Sequence, residues 1–311
     1  MNFEFGKISI RGKSHIETNM PNQDFIITEC IDDTVFVIAA DGAGSAKYSE
    51  EGAKRVGLNV LNNLKKIKQK SVLKDPYSYS YILEKIIIDS IESVRNNLIQ
   101  GKNEVVSVET KGFNMSSFFS RANPFKKTIL IKEELPSKVD VNQDLSDTDN
   151  VTSIEDVEDL EKKIDDYAST FLIMVNSPTS SFTAHIGDGY IIGLNLDSDT
   201  NEINSQLVSL PKNGEYENQT HFFTDENWKE NLRFHSTKDF LNISLVVTDG
   251  ADSFWVSKDR QSIHSPLLEN FLKIRKKNKN ENLTSILEKV FTFEKISSVS
   301  TDDASIGMIL R

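Results

Sequence analysis

Three times in this chain an apolar run of strand-forming residues is cut short by an Asp-Gly pair: Asp41-Gly42 after VFVIAA, Asp188-Gly189 after FTAHIG, and Asp249-Gly250 after SLVVT. A fourth acid, Asp302, stands just before the closing run ASIGMIL. Runs rich in Val, Ile, Phe and Thr suit a pleated, buried surface. Glycine beside the acid lets the backbone turn away while a rigid sheet projects the carboxylate. One such pair is explained by a turn, which favours both residues on conformational grounds. Three of them, each ending a separate buried-type strand, point to carboxylates gathered in a shared cleft.

The rest of the pattern frames those strand ends. Lys7–Arg11, Phe25–Cys30 and Thr34–Ala40 read as strands, followed by two helical patterns. In the first, Ala53, Val56, Val60, Leu61, Leu64 and Ile67 recur at helical spacing; in the second, after Asp75-Pro76, Leu83, Ile87, Ile91, Val94 and Leu98 do. Strand signals resume at Ser169–Val175, Ser181–Ile186, Tyr190–Leu194, Ile243–Thr248 and Ala304–Leu310, with helical patterns near Pro266–Arg275 and Leu283–Phe291. Hairpin-like grouping of strands predicts an α+β layered architecture, not a parallel βαβ sheet. A single domain over residues 1–311 is expected, interrupted at about 101–163 by a polar, acidic insertion. Its short apolar run is Thr128–Ile131, and Ser153–Asp166 reads equally as an acidic helix or a loop.

Charge and cysteine usage narrow the function classes. The chain has 311 residues and a formal net charge of −11, most of it carried by Asp140–Asp166. That balance argues against nucleic-acid binding, which needs a basic surface. Cys30 is the single cysteine, so no internal disulfide forms. The start MNFEFGKISI lacks the apolar stretch of a signal peptide, and no run approaches the roughly 18 apolar residues of a membrane span. A cytoplasmic setting without membrane partners is expected.

Converging carboxylates repel unless a cation neutralises them, and hard oxygen ligands select Mg²⁺ or Mn²⁺. Zinc is disfavoured by the lack of paired Cys or closely spaced His. Two such ions would orient a phosphate, lower the pKa of bridging water and assist in-line displacement. The chemistry to which these acids point is phosphoester hydrolysis.

The blocks ADGAGSAKYSEEGA (40–53), ASTFLIMV (168–175), HIGDGYI (185–191), VVTDGADSFW (246–255) and TDDASIGMIL (301–310) resemble, in order, the motifs of the metal-dependent (type 2C) protein phosphatases. GKSH (Gly12–His15) and NQD (Asn22–Asp24) fit the opening motif, and the nearest likeness is to a bacterial branch with Gln-Asp at that place. The resemblance implies a sandwich of two mostly antiparallel sheets flanked by helix pairs, a four-layer α-β-β-α fold. It further implies two Mn²⁺ or Mg²⁺ ions and a more weakly held third. Asp41 would bridge the first two, Gly42 would add its carbonyl, and Asp249 and Asp302 would complete the first site. Gln23 and Asp24 would serve the second metal, and Asp188, with Asp252, the third. The partners implied are a phosphorylated protein substrate and a cognate serine/threonine kinase.

Three departures matter. Gln23 replaces the more usual Glu, so a neutral amide stands where a charged ligand is common. Asn19 occupies the place of the usual phosphate-binding arginine, leaving His15 or Arg11 for that role, with His15 also a candidate catalytic group. Ala43 stands where some members carry a general-acid histidine, so leaving-group protonation falls to water, His15 or Lys47. His185, on an apolar strand, is expected to be a core residue, and Asp303 a supporting one. Glu215 and Tyr216 resemble a loop of the bacterial branch. The alternative reading is a catalytically weak phosphatase-like module that binds phosphoproteins or regulates a kinase.

Overall fold

Strand β3 (Thr34–Ala40) is buried along its whole length because both of its faces are covered. Phe36, Ile38 and Ala40 pack with helices α2 (Ser49–Lys65) and α4 (Ser80–Ile99), while Val35, Val37 and Ala39 face a second sheet. The alternation follows from strand geometry, in which successive side chains point to opposite faces. From Val35 to Ala40 the strand therefore reads as an unbroken apolar run.

The structure is a computed structural model that describes residues 3–67, 69–101, 164–197, 200, 202–211, 220–239, 241–257 and 263–311. The expected insertion beyond Gly101, with Thr128–Ile131 and most of Ser153–Asp166, lies outside these residues, as do Glu215 and Tyr216. One sheet has the order β2 (Phe25–Ile31), β3, β4 (Phe171–Asn176), β5 (Ser181–Ile186), β8 (Arg233–Thr237). The other runs β1 (Glu4–Ile10), β10 (Ala304–Leu310), β9 (Ile243–Val247), β6 (Tyr190–Leu196), β7 (Ile203–Ser209). Every pairing is antiparallel.

Three apolar layers hold the sandwich together. Outside the β3 sheet lie α2 and α4, with Ala53, Val56, Leu83 and Ile87 fully buried. Between the sheets sit Val37, Leu172, Met174, Val246 and Ile309. Outside the β10 sheet, Trp255, Phe271 and Ile286 pack under α6 (Asp249–Trp255), α7 (Ser265–Lys277) and α8 (Leu283–Val290). The sheets approach so closely at Gly307 that a Cβ there would lie 2.3 Å from Val37 Cγ1. The expected α+β four-layer sandwich is thus the observed one.

Four short helices complete the described chain: α1 (Lys13–Glu17), α3 (Lys70–Lys74), α5 (Trp228–Asn231) and α9 (Phe293–Ser297). The sequence pattern missed β7 and β8. Both are edge strands, and INSQLVS and RFHST carry polar side chains on partly solvated faces. The pattern also missed α1, whose single turn is too short to show periodicity. Among the described residues no helix is long and apolar enough to cross a membrane.

Candidate active site

The two sheets end together at one edge of the sandwich, and the strand-end acids meet there. Asp41 follows β3 and is fixed through its backbone: its N–H donates to Thr170 Oγ1 (2.9 Å), and its carbonyl accepts from the Thr170 N–H (2.8 Å). Asp188 sits in the β5–β6 turn, where the chain passes from one sheet to the other. Gly187 before it has φ 114°, a conformation that L side chains rarely adopt. Asp249 opens helix α6 directly after β9, and Asp302 lies in the turn leading into β10.

Carboxylate oxygens of Asp41, Asp188 and Asp249 lie within 4.8 Å of one another. They line a cavity of about 650 Å³ together with Gly42, Thr170, Thr220, His221, Asp225 and Asp302. No lysine or arginine is on its described wall. Crowding of like charges away from solvent makes ionisation costly. Burial, then the charges of Asp24 and Asp249, push the Asp41 carboxyl well above the usual carboxylate range. Burial likewise lifts Asp249 to about 6, against a hydrogen bond with Asp41 that lowers it. Asp24 is raised to about 8, mainly by burial, despite hydrogen bonds from Ser305 and Thr248.

A hard divalent cation fits this donor set. Buried Asp249 Oδ1, Asp24 Oδ1 and Gln23 Oε1 each lack a hydrogen-bond partner among the described residues. A buried acceptor without a partner is costly unless a ligand supplies the missing contact. Oxygen donors from carboxylates and an amide suit Mg²⁺ or Mn²⁺.

Gln23 and Asp24 do not line the cavity itself but stand behind the 41–44 turn; Gln23 Oε1 is 4.0 Å from where a Cβ on Gly44 would be. Thr248 Oγ1 donates to Asp24 Oδ2 (2.8 Å), and Gln23 is positioned by Asp303, the supporting residue expected from sequence. Its carboxylate accepts from the Gly12 N–H (2.6 Å) and the Gln23 N–H (2.6 Å), and lies 2.8 Å from His15 Nδ1. His15 is buried by this contact, with Nε2 3.9 Å from Asp302 Oδ1, so His15, Asp302 and Asp303 form a second tight group. Arg11 donates to the His15 carbonyl (2.9 Å). Neither His15 nor Arg11 is on the cavity wall, nor is Asp252, whose Oδ1 accepts from Ser253 Oγ. His185 is a fully buried core residue, with Nδ1 2.8 Å from Ser209 Oγ and a pKa held well below normal by burial.

Sequence reasoning missed the part of the wall formed by residues 220–227. Thr220, His221, Phe222, Asp225 and Asn227 belong to a segment without strand or helix periodicity. Thr220 Oγ1 donates to Asp188 Oδ2. The available signals were the likeness of KNGEYENQTHFF to a loop of the bacterial branch and the histidine and hydroxyls in QTHFFTD.

The sequence profile of the family described as Protein phosphatase 2C matches residues 11–288. This chain belongs to the protein phosphatase 2C family. Among curated relatives, serine/threonine-protein phosphatase 3 of Escherichia coli (strain K12) is 26% identical over 156 residues, 48% of this chain and 58% of that protein. The match thus spans less than two thirds of that relative. The structure of the S. agalactiae serine/threonine phosphatase superposes with a TM-score of 0.53 at 10% identity, covering 99% of both chains. Serine/threonine phosphatase Stp1 from Staphylococcus aureus gives 0.52 at 12% identity, covering 100% of this chain and 96% of that one. At such identities the likeness establishes a shared type 2C fold.

Proposed function

We propose that this chain is a Mn²⁺- or Mg²⁺-dependent phosphoserine/phosphothreonine protein phosphatase that attacks phosphorus directly with water. The observation that carries the reading is the convergence of Asp41, Asp188 and Asp249 within 4.8 Å on a cavity wall without lysine or arginine. An anionic phosphoester enters such a site only with cations. Asp41, Asp249 and Asp302 would hold the first ion, with the Gly42 carbonyl. Asp41, Gln23 and Asp24 would serve the second, and Asp188 with Asp252 a weaker third. Bound there, the ions would offset phosphate charge and lower the pKa of the attacking water.

The protein's own contribution is order. Thr170 clamps both backbone groups of Asp41, and Thr220 orients Asp188. Asp303 ties Gly12, His15 and Gln23 to the Asp302 turn. His15, held through Nδ1 by Asp303, or Arg11 would bind the phosphate. The natural partner is a phosphorylated protein, with a serine/threonine kinase supplying the modification.

The test is phosphate release from a phosphothreonine peptide library in Mn²⁺, in Mg²⁺ and in chelator. Metal-dependent release is expected, and Asp41→Asn or Asp249→Asn should abolish it in a folded protein. Equal release with chelator, or full activity in either variant at saturating metal, refutes the reading.

A further inference from the structure

An aliphatic phosphoester leaves as an alkoxide, which departs readily only if a proton reaches it as the P–O bond breaks. The described cavity wall offers carboxylates, hydroxyls, amides, backbone and one imidazole, that of His221. Ala43 has no proton to give, Lys47 is turned over the Tyr48 ring, and His15, held through Nδ1 by Asp303, is not on the wall.

The segment carrying His221 is pinned on three sides. The Phe223 N–H donates to the Ser169 carbonyl (3.0 Å), beside the Gly42–Ser169 bridge at the cavity floor. Arg95, reaching from α4, donates to the Phe223 carbonyl (2.7 Å), and Thr220 is bonded to Asp188. Phe223 and Trp228 are buried beneath it. A side chain held this firmly can be aimed without further ordering cost.

His221 Nδ1 faces inward, 3.1 Å from Asn231 Nδ2 and 3.6 Å from Asp225 Oδ2. Asn231 Nδ2 also donates to Asn227 Oδ1 (3.2 Å), so Nδ1 is free to carry a proton toward Asp225. When the ring is charged, Asp225 is the carboxylate available to that N–H. Both neighbours occupy Nδ1, leaving Nε2 as the nitrogen for substrate.

We propose that His221 is the general acid that protonates the departing serine or threonine oxygen, an inference that rests on the phosphatase reading above. The P–O bond to that oxygen breaks with its electron pair staying on oxygen, and the Nε2 proton of the imidazolium moves onto it. The ring is left neutral with its remaining proton on Nδ1, toward Asp225. The attacking water forms the new P–O bond and loses a proton to solvent, which recharges the ring.

The experiment compares wild type and His221→Asn at saturating Mn²⁺ on two substrates, a phosphoserine peptide and 4-nitrophenyl phosphate. The nitrophenolate leaves without a proton, whereas the serine alkoxide does not. In Asn the amide stands where Nδ1 stood, and no acid remains. The expected kcat loss is on the order of 100-fold or more with the peptide and far smaller with the aryl ester. Equal losses on both substrates, or none on the peptide, overturn the proposal in favour of a wall or binding role. Thermal unfolding and Mn²⁺ titration report whether the variant is intact, and His221→Gln replaces it if it is not. A wild-type protein that hydrolyses neither substrate fails the phosphatase reading, and this proposal with it.

Discussion

Adding Mn²⁺ to metal-free protein should expel protons, because the carboxylates that would receive it are held partly neutral. With a pKa of about 8, Asp24 is roughly nine-tenths protonated at pH 7, whereas Asp249, at about 6, is roughly one-tenth protonated. Asp41 is raised as well, by burial and then by the charges of Asp24 and Asp249. If Asp24 and Asp249 ionise on binding, about one proton leaves at pH 7. Apparent affinity should then climb at least about tenfold from pH 6 to pH 7. The same shifts have a sign for stability. A carboxyl with a raised folded pKa favours the folded chain fully below its ordinary value of 3.8, and that contribution is lost as pH rises through about 8. Metal-free protein should therefore lose stability across that window, and Mn²⁺ should flatten the loss. Calorimetry in two buffers of different protonation enthalpy, at one pH, counts the protons. Identical heats in both buffers would refute the argument, since they would mean that the bound ion displaces no proton from these acids.

Further outcomes follow from named contacts. Gln23→Glu should tighten Mn²⁺ binding on the order of tenfold or more by adding a full charge beside the site; equal affinities for wild type, Gln23→Glu and Gln23→Ala would put Gln23 outside the coordination shell. Asp303→Asn keeps one acceptor oxygen for the donors of Gly12, His15 and Gln23, so urea unfolding should show a loss of about 1–3 kcal/mol. Thr170→Val removes the acceptor for the Asp41 N–H at nearly constant volume and should cost a similar ~1–3 kcal/mol, read by the same assay. Deleting Asn103–Lys162 behind a short linker should leave cooperative unfolding intact, because Leu98 and Ile164 on either side already share one apolar cluster and long loops add little closure entropy. Broad, non-cooperative melting of the deletion would assign that segment to the core.

What could be read in the sequence, and what could not, divides along burial and along the range of each contact. Strands β3, β4 and β9 are dry on both faces and apolar at nearly every position, so they show as near-continuous runs, and the ends of β3 and β9 locate Asp41 and Asp249. The acids belong to the same few residues that define those runs, so they are legible with them. Edge strands β7 and β8 keep one face partly wet and pair on one side only, so neither a run nor a clean alternation marks them. The wall around His221 is hidden for a different reason. It is held by single long-range bonds, Arg95 to the Phe223 carbonyl, the Phe223 N–H to Ser169 and Thr220 to Asp188, each joining residues far apart in the chain. Such contacts constrain one donor and one acceptor and impose no repeat on the residues between them. His15 stands beside the opening motif, and its long-range pairing through Nδ1 with Asp303 is likewise invisible to periodicity. Periodicity locates the scaffold that presents the carboxylates, and the groups that face them across the cavity are fixed by pairings that only the folded chain reveals.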